Sequence, residues 1–457
     1  MKKRFLPFLM ALSLIFPSFS AFAEEAETAP EENITAETQT SDLTLAAETA
    51  VLMDAASGEV LYTKNADQKM YPASITKLMT ILLALEHGKL TDEITFSHDA
   101  VYNIEPGSAH IAIMEGETLT LEQVLRAIIL RSANEASNGV AEYVDGSVEA
   151  FAKHMTERAK ELGCKNTNFV NANGLHDENH YTTAYDMALI AKELLTHEEY
   201  RSMMSETYYE IPPTNKQTET RYLHGQHQML NPNSIYYYED ATGGKTGFTS
   251  EALNTLVTYA ERNGMELIAV VMKCNGAEHY TDTAALFDYG FENYESVKLL
   301  SAADHTTTVK VTETYNDKPV ELGTITAAPA EDVYHTLPKG TDTSQIKVET
   351  DCPETIEAPV TEGQTVGTLK VSLDGKTIKT VDLKAQNAVD AMTDEQKAEL
   401  DKSSISGILK KVGIGVVVVI LAFLILICIT RTIGYYQRKK RRQQRRRRTR
   451  RNRRGRF

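Results

Sequence analysis

Cysteine is scarce in this chain: four in 457 residues, at positions 164, 274, 352 and 428, far apart and without Cys-x-x-Cys spacing. Neither a disulfide framework nor a thiolate zinc site is indicated, though a single Cys164–Cys274 bridge stays open if the chain is exported. A histidine metal motif is missing too. His176 and His180 are four apart, but Asp177 follows the first and the glutamate stands at 178, so His-Glu-x-x-His is not met. A phosphate loop is likewise missing, because Gly244-Lys245-Thr246 needs a glycine five positions earlier and Glu239 stands there. No metal and no cofactor is expected. Acidic residues, finally, are absent from 431–457, a stretch holding 15 Lys+Arg.

That asymmetry organises the rest. The chain carries 48 basic and 63 acidic residues; setting aside the 15 of the tail and Lys2, Lys3 and Arg4 leaves 30 against 63, a net of −33. Only two long apolar runs exist. The first, Phe5 to Phe16, follows the three basic residues and precedes Ala21-Phe22-Ala23, so 1–23 reads as a signal peptide. The second, Val412 to Thr430, has 19 residues without a charge, about 28 Å of helix and enough to cross a bilayer. The positive-inside rule keeps 431–457 cytoplasmic and puts 24–411 outside, as a single-pass cell-membrane protein. The basic tail is then a topology lock in contact with anionic membrane lipid, not a nucleic-acid arm.

The length suits two domains plus tails. Residues 24–43, rich in Glu, Thr and Ala, form a disordered acidic linker. Residues 44–296 mix helices and strands: a hairpin Ala50–Met53/Val60–Tyr62, an apolar helix after Pro72 to about Gly88, strand-like Glu93–Phe96, helices over Leu119–Leu130, Glu135–Tyr143 and Ser147–Leu162, and a helix to about Leu195 opened by a Thr183/Asp186 capping box. Residues 198–240 read as irregular. Strands follow at Leu253–Tyr259 and Glu266–Lys273, with a closing helix Thr281–Tyr294. From 297 to 388 short alternating runs separated by Asp-Gly, Pro-Lys-Gly and Glu-Gly turns indicate a small β-sandwich-like domain without evident chemistry. A charged stem, 389–411, leads to the span.

The chemistry begins at Ser74. It opens the helix after Pro72, and Lys77 lies one turn on, on the same face. Backbone N–H groups at a helix start favour an anion there, so a serine attacking a carbonyl would find donors for the oxyanion. A neutral Lys77 could take the serine proton. Reaching a pKa of about 7–8 from about 10.4 costs roughly 4 kcal/mol, and burial and the like charge of Lys245 are the available causes. Ser-x-x-Lys alone is a common pattern, but Ser132-Ala133-Asn134 and Lys245-Thr246-Gly247 follow in order.

That set resembles the serine-type D-alanyl-D-alanine carboxypeptidases, the low-molecular-weight penicillin-binding proteins, over roughly 44–296. The resemblance extends to the Asn173-Gly174-Leu175-His176-Asp177 loop with Tyr181-Thr182-Thr183-Ala184, and less specifically to the β domain and anchor. It implies an α/β (α+β) transpeptidase/β-lactamase-like domain, an antiparallel sheet flanked by helices, then a small all-β domain and a C-terminal transmembrane helix. It implies Ser74 as nucleophile, Lys77 as base and Ser132 as proton relay. Asn134, Lys245 and Thr246 would hold substrate, with the Ser74 and Phe248 N–H groups as oxyanion donors. The implied partners are peptidoglycan stem peptides and β-lactam antibiotics. Two features depart from the family: Ser-Ala-Asn replaces the commoner Ser-Gly-Asn, and a full span with an arginine-rich tail replaces an amphipathic anchor. The alternatives are a penicillin-sensing membrane receptor and a β-lactamase or endopeptidase of the same fold. Against the β-lactamase, Glu251-Ala252-Leu253-Asn254 falls after Lys245, so no deacylating glutamate is evident.

Overall fold

The structure is a computed structural model describing residues 43–453. The proposed signal peptide and nearly all of the acidic linker lie outside the described residues. The described chain opens with β1 (Thr49–Asp54), β2 (Val60–Lys64), α1 (Lys77–His87), β3 (Glu93–Thr95), α2 (His98–Tyr102), β4 (Thr118–Thr120), α3 (Leu121–Arg131), α4 (Asn134–Asp145), α5 (Val148–Glu161), α6 (Ala184–Leu194) and α7 (Glu198–Met204). There follow β5 (Tyr208–Ile211), β6 (Arg221–His224), β7 (Ala241–Thr249), β8 (Leu253–Arg262), β9 (Met265–Cys274) and α8 (Glu278–Asn293).

The antiparallel sheet expected from the resemblance is present, in the order β2-β1-β9-β8-β7. β1, β8 and β9 are buried on both faces because helices cover both. One face meets α6 and the helical core built on α1; the other meets α8. Lys77 through Ala84 of α1 are all buried, as befits a helix apolar on most sides. Thr120 and Gln123 close a full capping box on α3. At α6 only half of the expected box forms. Thr183 accepts from the Asp186 N–H, but the Asp186 carboxylate accepts from Lys165 N, Asn166 N and Thr167 Oγ1 instead. Cys164 and Cys274 are free, and they sit in the cores on opposite faces of the sheet, which rules out the bridge left open above.

Residues 198–240 are less irregular than their composition suggests. They hold α7 and the β5–β6 hairpin, whose strands pair from Tyr208↔His224 to Ile211↔Arg221. The hairpin is fastened from outside. Arg221 donates to both carboxylate oxygens of buried Glu117 at 2.6 and 2.8 Å and to the carbonyls of Ile111 and Ala112. Burial pushes the Glu117 carboxyl up, but Arg221, Thr214 and the Met114 N–H outweigh it and hold it below the ordinary range.

The second domain comprises β10 (Tyr294–Leu300), β11 (Thr307–Tyr315), β12 (Lys318–Ala328), β13 (Val333–Pro338), β14 (Lys347–Asp351), β15 (Thr355–Glu357), β16 (Thr365–Leu373) and β17 (Lys376–Ala385). A six-stranded sheet, β14-β16-β17-β12-β11-β15, shares one core with the β10–β13 pair. The domains touch through Thr336 Oγ1, which donates to Asp54 Oδ2 at 2.6 Å, and through His335 against Glu59. One continuous helix, α9 (Asp394–Arg453), runs from within the expected stem through the apolar stretch and into the basic segment, with its apolar side chains exposed. It is the one described helix long and apolar enough to cross a membrane.

Replacing Arg221 by Leu strands the Glu117 carboxylate in the interior and should cost about 3–5 kcal/mol, read as a lower midpoint in chemical denaturation. Because the folded-state pKa of Glu117 is depressed, the pair stabilises above the ordinary carboxylate pKa and its contribution fades as pH falls through the lowered value. The wild type and the variant should therefore converge in acid.

Candidate active site

Ser74 lies on a 3-10 turn, Ala73–Thr76, and α1 proper begins at Lys77. The i,i+3 spacing still puts both side chains on one face. Ala73 is held at φ +50°, a backbone conformation unusual for a residue with a Cβ. Two contacts hold it there. Thr255 of β8 donates to the Pro72 carbonyl at 2.8 Å, and Gly174 of the Asn/Gly-rich loop lies over the Ala73 carbonyl. Only glycine fits at 174: its φ is +84°, and a Cβ would stand 1.9 Å from the Ala73 oxygen. Ser132 caps α3 in the left-handed region at φ +57°, and Asn134 opens α4. β7 carries Lys245, Thr246 and Gly247 along the sheet edge. There the bare Gly247 allows close approach, since a Cβ would reach 2.9 Å from the Ser74 nitrogen. An edge strand keeps one row of N–H groups free of ladder bonds.

These elements bring Ser74, Lys77, Asn134, Ser132 and Lys245 together. Lys77 Nζ donates to Ser74 Oγ at 3.0 Å, to Asn134 Oδ1 at 2.7 Å and to the Asn173 carbonyl at 2.5 Å. Lys245 Nζ donates to Ser132 Oγ at 3.0 Å and to the Thr246 carbonyl at 2.8 Å. Both amines are sequestered, with Lys77 0% and Lys245 2% exposed. Burial, then the neighbouring Lys245 charge, holds Lys77 well below the usual lysine range, against a smaller opposing pull from Glu135. Burial alone lowers Lys245 to about 7. Phe248 differs from the rest: its side chain is 63% exposed, so any role belongs to its backbone.

Sequence reasoning gave no role to Asn173 and Asn138. Asn173 accepts from Lys77 through its carbonyl, and its amide donates to Asn138 Oδ1 at 3.0 Å. His180 is structural. Its Nδ1 accepts from Val170 N at 3.1 Å, which leaves Nε2–H for Thr76 Oγ1 at 2.8 Å. Burial pushes its pKa down to about 3, so the ring is neutral. The density of Asn and Gly in this loop was the available signal; which side chains turn inward was not.

The sequence model of the D-alanyl-D-alanine carboxypeptidase family matches residues 35–276. This chain belongs to that family. A second match, to the penicillin-binding protein 5 C-terminal domain, covers residues 294–391. The chain is 36% identical to the D-alanyl-D-alanine carboxypeptidase DacF of Bacillus subtilis over 79% of its own length and 88% of the relative's. It is 32% identical to DacA of Escherichia coli K12, over 73% and 81%. Among solved structures, penicillin binding protein 5 from Haemophilus influenzae superposes with a TM-score of 0.59 at 31% identity, covering 77% of this chain and 99% of that one. The carboxypeptidase is thus a serine-type peptidase of transpeptidase-like fold, followed by a small β domain of the kind that accompanies this family.

In this carboxypeptidase, Gly174→Ala should displace the Ala73 carbonyl and with it the turn bearing Ser74. A shift of about 1 Å at a reacting group costs on the order of 100-fold. Steady-state kinetics should show kcat falling by about that factor while circular dichroism stays native-like.

Proposed function

We propose that the carboxypeptidase removes the terminal D-alanine from peptidoglycan pentapeptides through an acyl-enzyme on Ser74. The observation that carries the reading is Lys77, fully buried with its Nζ 3.0 Å from Ser74 Oγ and its pKa pushed far down, so that in the neutral amine the Nζ lone pair can accept from the Ser74 O–H. As a neutral amine it takes the proton when Ser74 Oγ attacks the penultimate carbonyl. The oxyanion meets the N–H groups of Ser74 and Phe248. As the C–N bond breaks, Ser132, whose oxygen already accepts from Lys245, gives its own proton to the departing amine. Asn134 orients Lys77 and holds the substrate amide. Lys245, charged, binds the terminal carboxylate, with Thr246 beside it. The proton held on Lys77 then restores the Ser132 hydroxyl, and water attacks the ester carbonyl; its oxygen forms the new C–O bond, the bond to Ser74 Oγ breaks, and a proton from that water passes through Lys77 to Ser74 Oγ. β-Lactams, which present a similar carbonyl and carboxylate, acylate the same serine.

The apolar part of α9 is the anchor in this reading. Residues 412–430 cross the bilayer once, the arginine-rich end contacts anionic lipid on the cytoplasmic side, and the catalytic domain faces the wall.

D-Alanine should be released from diacetyl-lysyl-D-alanyl-D-alanine, and Ser74→Ala should reduce release to background and abolish labelling by a tagged penicillin. Failure of the wild type to release D-alanine would sink the reading. The pH profile offers a second check. Activity rises as Lys77 loses its proton and declines as Lys245 loses its own, near pH 7 in the free enzyme. Bound carboxylate favours the charged Lys245, so the alkaline limb should lie at higher pH in kcat than in kcat/KM.

A further inference from the structure

A cavity of about 330 Å³ opens where three segments meet: Lys69–Tyr71 ahead of the nucleophile, Glu251–Ala252 in the turn from β7 to β8, and Glu178 with Tyr181 in the Asn/Gly-rich loop. Tyr71 precedes Ser74 by three positions, so their Cα atoms are within about 11 Å even if that stretch is fully extended. The substrate's direction leads toward it. With its carboxylate at Lys245 and its reacting carbonyl at the Phe248 N–H, the peptide runs along β7 in the order of the strand's own residues. The next residue upstream, about 3.3 Å further on, comes to Thr249 and the turn at Glu251.

The lining is apolar below and charged above. Met70 and Ala252 are buried. Glu48 and Lys273, also in the wall, neutralise each other at 2.7 Å. Lys69, Glu178 and Glu251 remain, and among the described residues none of the three is in an ion pair. The Lys69 ammonium rests over the Tyr181 ring at 4.2 Å from its centroid.

We propose that this cavity receives the side-chain end of the third stem residue, and that its paired signs select a 2,6-diamino diacid over lysine. The inference rests on the carboxypeptidase reading above. Glu178 and Glu251 attract the terminal ammonium, and Lys69 attracts the carboxylate on the same carbon. A lysine side chain brings the ammonium alone and leaves Lys69 facing a like charge.

The test compares kcat/KM on two pentapeptides differing only at the third residue, with diacetyl-lysyl-D-alanyl-D-alanine, whose side-chain amine is blocked, as a neutral control. The wild type should prefer the diamino-diacid peptide about tenfold. Lys69→Met should erase that preference, Lys69→Arg should keep it, and both should process the neutral control like the wild type. Equal rates on the two pentapeptides, or a preference surviving Lys69→Met, overturn the assignment while leaving the carboxypeptidase reading intact. No D-alanine from any of the three peptides overturns both.

Discussion

Two lysine side chains buried within one cluster impose the constraint from which the rest of the site follows. Moving Lys245 from its usual 10.5 to about 7 represents roughly 5 kcal/mol of disfavoured charge. Lys77 is also held well below the usual range, by burial first and then the Lys245 charge, against an opposing pull from Glu135. The fold offsets this with oxygen acceptors: three around Lys77, from Ser74, Asn134 and Asn173, and two around Lys245, from Ser132 and Thr246. The same desolvation that destabilises the folded state leaves one amine able to accept a proton at ordinary pH.

Holding that arrangement takes four separate elements. The turn before α1 presents Ser74, the α3–α4 junction presents Ser132 and Asn134, the edge strand β7 presents Lys245, and the loop at 171–181 closes over them with Asn173. Each is held by contacts remote from the chemistry. Thr255 grips Pro72, Asn138 grips Asn173, and the buried Glu117–Arg221 pair fastens the β5–β6 hairpin to the segment around Ile111. The β domain contributes no side chain to this cluster. It joins the catalytic domain through Thr336 on Asp54 and His335 beside Glu59, and the exposed apolar helix continues beyond it.

Much of the fold was legible because its signals are local. The β1–β2 hairpin, α1, α3 to α6, β8, β9 and α8 announce themselves by periodicity, caps and turn residues. The β5–β6 hairpin was not legible: Arg221 finds Glu117 104 positions away, and nothing nearby in the chain marks that partner. Asp186 shows the same limit. Its spacing from Thr183 suits a capping box, but its carboxylate is engaged by Lys165, Asn166 and Thr167 from another segment.

The order and identity of Ser74, Lys77, Ser132, Asn134, Lys245 and Thr246 were enough to name the reaction class, because each motif carries its chemistry in residue type and short-range spacing. Only the tertiary structure decided that both amines are held below the usual lysine range, since a lysine's proton affinity depends on the water and charges around it. Residue type does not encode that burial. It arises when segments as distant as 77, 134, 173 and 245 pack against one another.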